Sequence, residues 1–182
     1  DEKMVYHRPL VTKKTNAEWV DAMGDQPRIP HRTQFDPKTM IIVAVSFTGK
    51  HMVNVLQRGQ SVNSLAYIDF LRRMNYNFRR HIQKFDWKDM ALMHDNVRVH
   101  TSVAVRDFLE ERGVKVIRQA PYSPDMNLLD RFIFSTLERM RNNTTFTGTE
   151  HVKTFTADVI HEKAALAEQY NKLMDVVYCL WR

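Results

Sequence analysis

Three aspartates carry the chemistry that this sequence suggests, and Asp95 is the first of them. It follows the apolar run 90–93 and precedes a helical pattern, so it lies just past the C-terminal end of a predicted strand. Open α/β sheets usually place their functional groups at that edge. A turn or N-cap role is the alternative, because aspartate is favoured before helices.

Asp130 is the second aspartate, and its spacing is unusual for a surface carboxylate. In a helix through "LLDRFIFSTLERM" it shares a face with Ile133, Phe134 and Leu137, at offsets of three, four and seven residues. An unpaired buried carboxylate costs several kcal/mol, so this position predicts a compensating partner such as a divalent cation. Capping of a helix end is the alternative interpretation.

Asp1 is the third aspartate and stands at the head of the first strand candidate, before Glu2 and Lys3. Carboxylates brought together from two strands and a helix repel each other unless a cation lies between them. Two hard cations with oxygen ligands can clamp the attacking and leaving oxygens of a phosphodiester. The sequence has no Walker-type glycine loop and no close Cys/His set, which disfavours nucleotide hydrolysis and structural zinc.

The elements that must position these acids alternate along the chain. Hydrophobic patterns predict five strands, at 4–7, 39–47, 51–57, 90–93 and 114–117. Helices are predicted from Tyr67 to Ile82, around Val105 to Leu109 with a stop at Gly113, and over about 128–141 and 150–178. This order predicts an α/β fold with a sheet of mixed direction.

Composition limits the class of protein further. A chain of 182 residues with 43% apolar residues predicts one globular domain. The net charge of +6 is compatible with a polyanionic partner such as nucleic acid. The lone Cys179 excludes an internal disulfide. The longest apolar stretch, Met40 to Phe47, is far short of the roughly 20 residues of a membrane span, so we expect no membrane partner.

Two basic segments are candidates for DNA contact. The helix after residue 64 carries four arginines mostly outside its apolar face: Arg72, Arg73, Arg79 and Arg80. They either follow a phosphate backbone or form a solvated charged face. A proline-containing arm at about 8–38 carries Trp19, Arg28 and Arg32, and is either a functional arm or a disordered loop.

Several motifs together resemble the catalytic domain of mariner-type DNA transposases. They are "DEK" at the first strand, "HDNVRVH" at the strand-to-helix junction and "PYSPDMNLLD" before the next helix. The 34 residues between Asp95 and Asp130 are similar to the spacing of the mariner branch. Further similarity covers "EWVD", "PKTMIIVAVSFTGK" and "RGQSVNSLAYIDFLR", so the resemblance spans nearly the whole chain.

The resemblance implies a ribonuclease H-like fold with a mixed five-stranded sheet flanked by helices and a long arm after the first strand. It implies that Asp1, Asp95 and Asp130 bind two Mg²⁺ or Mn²⁺ ions, and that Asn96 and His100 support the site or contact phosphate. The implied activity is cleavage of double-stranded DNA at transposon ends followed by strand transfer into target DNA. A homodimer formed through the arm, with Trp19 as an anchor, and a nuclear location are further implications.

Some positions depart from the family pattern. Met4 stands where the family has tryptophan, and Val97 and Val99 replace alanine and proline. Leu129 and Arg131 flank the third aspartate, where the family has a small residue and an aromatic one. No departure removes a carboxylate. We also expect the N-terminal DNA-binding region to be absent from this chain and Asp1, as its first residue, to be frayed.

Two other functions are compatible with the same residues. A domesticated transposase derivative would bind DNA without cutting it, although it would have no need for three mutually repelling acids. A ribonuclease acting on RNA–DNA hybrids would share the fold but would have little use for the arm.

Overall fold

A computed structural model describes residues 1–8, 33, 35–46, 51–57, 59–80, 86–141 and 144–164. The described strands are β1 (Glu2–Tyr6), β2 (Lys38–Val45), β3 (His51–Val55), β4 (Ala91–His94) and β5 (Lys115–Arg118). The α-helices are α1 (Ser64–Arg79), α2 (Val103–Glu111), α3 (Ser135–Arg141) and α4 (Thr149–Ala164). Short 3₁₀ turns cover Trp87–Asp89 and Pro124–Met126, and a π-helical segment, Leu129–Phe134, leads into α3.

The strands form two separate sheets. In the first, β1 pairs antiparallel with β2 and β2 pairs antiparallel with β3, with Met4 opposite Met40 and Val43 opposite Val53. In the second, β4 and β5 run parallel, with Leu92 opposite Val116. The α/β class is therefore confirmed, and both strand directions are present.

The expectation of a single five-stranded sheet is wrong for the described chain. All five strands exist, but the ladder of β1 involves only β2, and that of β4 involves only β5. A side-chain contact links the two sheets instead, because the ring of His100, which follows β4, binds the carboxylate of Glu2 in β1. Hydrophobic patterns indicate where strands lie, but they carry no information about which strands pair.

Two hydrophobic clusters hold the elements in place. One joins α1 and α2 to both sheets, with Phe70, Leu71 and Val105 among its buried members. The other packs the π-helical segment, α3 and α4 against β1 and β2, around residues such as Ile41 and Leu137. The acids described below stand at the ends of elements whose positions these clusters fix.

The helices agree with the sequence patterns within the described residues. Asn63 caps α1 with its side-chain oxygen, and Gly113 at φ 67° lets the chain leave α2 toward β5. Helix α4 buries Val152 and Val159, whereas its predicted continuation beyond residue 164 lies outside the described residues. Within the part of the chain that the structure describes, no helix has the length and apolar character needed to cross a membrane.

Candidate active site

Asp1 is held firmly at the head of β1. Its amino group donates to the carbonyl of Val43 at 2.9 Å, and the amide of Val43 donates to the carbonyl of Asp1 at the same distance. One carboxylate oxygen accepts the backbone N–H of Glu2 at 2.7 Å. The expectation that Asp1 is frayed is therefore wrong, because β2 pairs with the chain up to its first described residue.

Asn127 brings Asp1 and Asp130 together. Its Nδ2 donates to Oδ2 of Asp1 and, at 3.2 Å, to Oδ2 of Asp130. Its Oδ1 accepts the backbone N–H of Leu129 at 3.0 Å, which fixes the amide at the start of the π-helical segment. The side chain is only 5% exposed. The side chain that accepts a backbone N–H at the start of this segment is that of Asn127. Asp130 therefore does not cap the helix end.

Asp95 lies directly after β4, where the sequence predicted it. Its Oδ1 accepts Nδ1 of His100 at 2.8 Å and the backbone N–H of Val97 at 3.3 Å. The residue at the N-cap of α2 is Ser102, so Asp95 does not cap that helix. The contact with Val97 is a turn interaction, which means that Asp95 stabilises the loop while a third of its side chain stays accessible.

His100 joins the site to β1. Its fully buried ring contacts Asp95 through Nδ1 and, through Nε2, Oε1 of Glu2 at 2.9 Å. The ring packs at a tilt against Tyr67, at 4.2 Å between centroids, and stacks against His94 at 4.9 Å. The Tyr67 hydroxyl in turn contacts Nδ1 of His94 at 3.0 Å. This aromatic stack orients the imidazole that holds Asp95.

The electrostatics of these groups follow from burial and mutual contacts. Burial acts to raise the pKa of Asp95, but the hydrogen bonds from His100 and Val97 and the nearby positive charges together outweigh it, so the pKa of Asp95 is lowered. Burial acts to lower the pKa of His100, but its contacts with Asp95 and Glu2 together raise the pKa of this ring. Burial lowers the pKa of His94 to about 4, so this ring is neutral near pH 7.

The pKa of Asp130 is shifted in the opposite direction from that of Asp95. Burial raises its pKa, and the negative charge of Asp95 adds to that increase, while Lys3 and the Asn127 hydrogen bond offset part of it. The charge of Asp95 therefore acts on Asp130 even though the two side chains have different hydrogen-bond partners. A cation near both carboxylates would relieve this repulsion.

The donor chemistry of the three aspartates fits a hard divalent cation. Carboxylate oxygens are the ligands that Mg²⁺ and Mn²⁺ prefer. Among the described residues, no three His, Cys, Asp or Glu side chains are already arranged as a metal site. Asp1 and Asp130 instead point to Asn127, and Asp95 points to His100. Metal binding therefore requires these carboxylates to reorient toward a common point.

Asn96 stabilises the loop beside the acids. Its Nδ2 donates to the backbone carbonyl of Gln119 at 2.8 Å, which ties the end of β4 to the segment after β5. Phosphate contact by Asn96 or His100 stays a prediction, and the ring of His100 is already occupied on both nitrogens.

The basic residues fall into three groups. Arg72 and Arg79 on α1 and Arg80 at its C-terminal cap are exposed, as the pattern indicated. Arg73 is also exposed, but it pairs with Asp69 at 2.5 Å and contacts Asn54 at 3.4 Å. The residues predicted to act in the arm lie outside the described residues: Trp19, Arg28 and Arg32.

The sequence reasoning missed three residues that organise the site. From the sequence, Glu2 is only a neighbour of Asp1, Asn127 only part of a motif, and Tyr67 only the start of a predicted helix. The local signals are weak, because an asparagine three residues before an aspartate is common in turns. The contact between Glu2 and His100 spans 98 positions and has no local signal at all.

With this geometry in view, comparison with known proteins identifies the class. Residues 9–153 match the family described as DDE superfamily endonuclease, and the chain belongs to that family. The matched range includes Asp95 and Asp130 and begins after Asp1.

Two individual proteins are similar to this chain in sequence. The chain is 29% identical over 155 residues to the Mariner Mos1 transposase of Drosophila mauritiana, covering 84% of this chain and 44% of the relative. It is 26% identical over 138 residues to the human histone-lysine N-methyltransferase SETMAR, covering 75% and 20% respectively. The chain thus spans less than half the length of both relatives.

A solved structure shows the same relationship. The Mos1 mariner paired-end complex with Mn superposes with a TM-score of 0.69 at 25% identity, covering 92% of this chain and 52% of that chain. The expectation of a mariner-type transposase catalytic domain is confirmed as a similarity by both sequence and structure.

Proposed function

We propose that this chain is the catalytic domain of a cut-and-paste DNA transposase. One observation carries the proposal: a single buried amide, that of Asn127, contacts the carboxylates of both Asp1 and Asp130. Asp1 and Asp130, 129 positions apart in the sequence, are thereby held side by side. The charge of Asp95 acts on Asp130. Membership of the endonuclease family supports phosphodiester cleavage as the reaction.

Two divalent cations, either Mg²⁺ or Mn²⁺, would be held by Asp1, Asp95 and Asp130. Such ions supply a water of lowered pKa as nucleophile and stabilise the charge on the leaving oxygen. The similar Mos1 paired-end complex was solved with Mn, which supports this choice of metal. We also infer a ribonuclease H-like arrangement for the domain from that likeness.

The chain's own residues prepare the site for this chemistry. His100 orients Asp95 and balances part of its charge, because the ring contacts Asp95 and Glu2 at once. Lys3 partly offsets the negative charge at Asp130. The reaction needs no covalent enzyme intermediate, since water attacks first and the released 3′-hydroxyl can then attack target DNA at the same acids.

The proposed partners follow from this reaction. The substrates are double-stranded transposon ends and target DNA, and a homodimer formed through the arm would bring two ends together. The nucleus is the proposed location, because the substrate is chromosomal DNA. The paired-end complex of the similar Mos1 transposase supports the pairing of ends.

Asp95→Asn tests the proposal. The amide is nearly isosteric but lacks the charge, so cleavage of plasmid DNA in Mn²⁺ should fall at least 100-fold while the thermal unfolding midpoint changes little. Asp125→Asn is the matched control, since Asp125 is exposed and lies in the 3₁₀ turn before Asp130. Undiminished cleavage by purified Asp95→Asn protein would contradict the catalytic assignment.

A second candidate is a DNA-binding protein derived from a transposase that no longer cuts. The similarity to SETMAR favours it, because that protein is named for a different activity. The same assay separates the two functions. Wild-type protein that binds DNA and never cleaves it in Mn²⁺ or Mg²⁺ would support the second.

A further inference from the structure

A basic cleft lies at the end of α1 far from the acids. Its volume is about 520 Å³, which is within the range of ligand-binding cavities. Arg79 in this cleft is twelve residues along α1 from Tyr67, which packs on His100, so the two positions are roughly 18 Å apart along the helix axis. The cleft is therefore separate from the proposed active site.

Among the residues that the structure describes, this cleft is lined by no acidic residue and by four arginines: Arg72, Arg79, Arg80 and Arg112. Guanidinium groups stay charged at any physiological pH. Two of them share one aromatic ring, since Arg112 lies 3.9 Å and Arg72 5.3 Å from the ring centre of Phe108. Glu111, outside the lining, pairs with Arg112 at 3.4 Å and offsets part of this charge. The remaining positive charge creates a potential that an anion would relieve.

The rest of the lining is suited to a nucleotide unit. Trp87 and the 64% exposed Tyr76 provide aromatic faces beside the arginines. Asn75 is 4% exposed, and its Nδ2 is buried without a hydrogen-bond partner within the described part of the chain. A buried donor without an acceptor is rare in proteins, and a phosphate oxygen entering the cleft with a small widening would satisfy it.

From these three features we infer that the cleft binds a phosphodiester group of DNA, with the adjoining sugar or base against Tyr76 or Trp87. The inference rests on the proposed function, because it takes DNA as the ligand. It also divides the arginines of α1 by role. Arg79 and Arg80 contact DNA, whereas Arg73, paired with Asp69 outside the cleft, does not.

The test measures how DNA affinity depends on salt. Fluorescence anisotropy with a labelled 20-base-pair duplex gives the slope of log affinity against log salt for wild type, Arg79→Gln/Arg80→Gln and Arg73→Gln. Each lost phosphate contact lowers the slope by about 0.9, so the double variant should lose about 0.9 to 1.8. Arg73→Gln, the matched control on the same helix, should keep the wild-type slope.

Two further measurements distinguish the possible outcomes. Asp95→Asn should keep the wild-type slope while losing cleavage, so a failed cleft and a failed active site give different results. An unchanged slope in the double variant, or an equal loss in Arg73→Gln, would overturn the inference even if the wild type cleaves DNA. Inorganic phosphate titrated at constant ionic strength should leave DNA affinity unchanged. Displacement of the duplex by inorganic phosphate would assign the cleft to free phosphate instead.

Discussion

At the scale of single residues, the site depends on a neutral donor between two acids. Asn127 can serve Asp1 and Asp130 together because its amide carries two N–H groups, whereas a carboxylate in the same place carries none when ionised. The residue thus keeps two like charges close without a third charge. Substitution of Asn127 should therefore lower the stability of the protein most when no cation is present.

Asn127→Asp should therefore destabilise the metal-free protein. The substitution keeps the oxygen that accepts from Leu129 but places a third carboxylate beside Asp1 and Asp130. We expect a loss of roughly 2–4 kcal/mol in the free energy of unfolding, measured with urea at pH 7 in EDTA. Added Mn²⁺ should recover part of that loss, since a cation compensates the extra charge.

Asn63→Asp is the matched control for this change. Asn63 caps α1 with its side-chain oxygen, a role that aspartate fills equally well, so stability should change by less than about 0.5 kcal/mol. Equal stability of Asn127→Asp and wild type in EDTA would show that the bridge between Asp1 and Asp130 does not matter.

At the scale of elements, the segment that carries Asp130 differs from a regular helix. The sequence pattern placed Asp130 on a face with Ile133, Phe134 and Leu137, and all three apolar residues are buried. However, residues Leu129–Phe134 are π-helical, and Asp130 itself is only partly buried. Single π-turns of this kind occur often at functional sites. Spacing alone could not reveal the turn, because apolar periodicity does not report the hydrogen-bond pattern.

Strands and helices were predictable from sequence because each has a local cause. Alternating or continuous apolar residues identified β2, β3, β4 and β5, and Gly113 marked the end of α2. The separation into two sheets was not predictable, because it depends on contacts such as that between Glu2 and His100. Asp95 and Asp130 could be proposed from spacing, whereas Asn127 needed the folded geometry.

Gly113 offers a test at this scale. Its φ of 67° is a conformation that side chains disfavour, and an added Cβ would lie 3.3 Å from Cγ of Lys88. Gly113→Ala should lower the free energy of unfolding by about 1–2 kcal/mol in urea denaturation. Gly113→Asn should lower it less, because asparagine tolerates this conformation better. Equal effects of the two substitutions would show that the backbone conformation is not the cause.

At the scale of the whole molecule, the inserted arm leaves and rejoins the sheet at one point. Tyr6 pairs with Lys38, and the amide of His7 donates to the carbonyl of Pro37 at 2.8 Å. A short connection could therefore close this hairpin without disturbing β1 or β2. The arm itself lies almost entirely outside the described residues.

Deletion of residues 12 to 35 should separate folding from the pairing of DNA ends. The shortened protein should unfold cooperatively and still gain stability from Mn²⁺, because the acids stand outside the deleted segment. It should no longer assemble two DNA ends into one complex in gel-shift and light-scattering measurements. A deletion variant that still pairs two ends would refute the role of the arm in dimerisation.

The central claim is that Asp1, Asp95 and Asp130 hold divalent cations in one place, and anomalous scattering from Mn²⁺ in crystals of this chain tests it most directly. Our account predicts Mn²⁺ bound by carboxylate oxygens of all three of these residues. The same crystals of Asp95→Asn should show weaker Mn²⁺ peaks at this position. Mn²⁺ bound elsewhere, or not at all, under conditions in which the protein cleaves DNA would contradict the account.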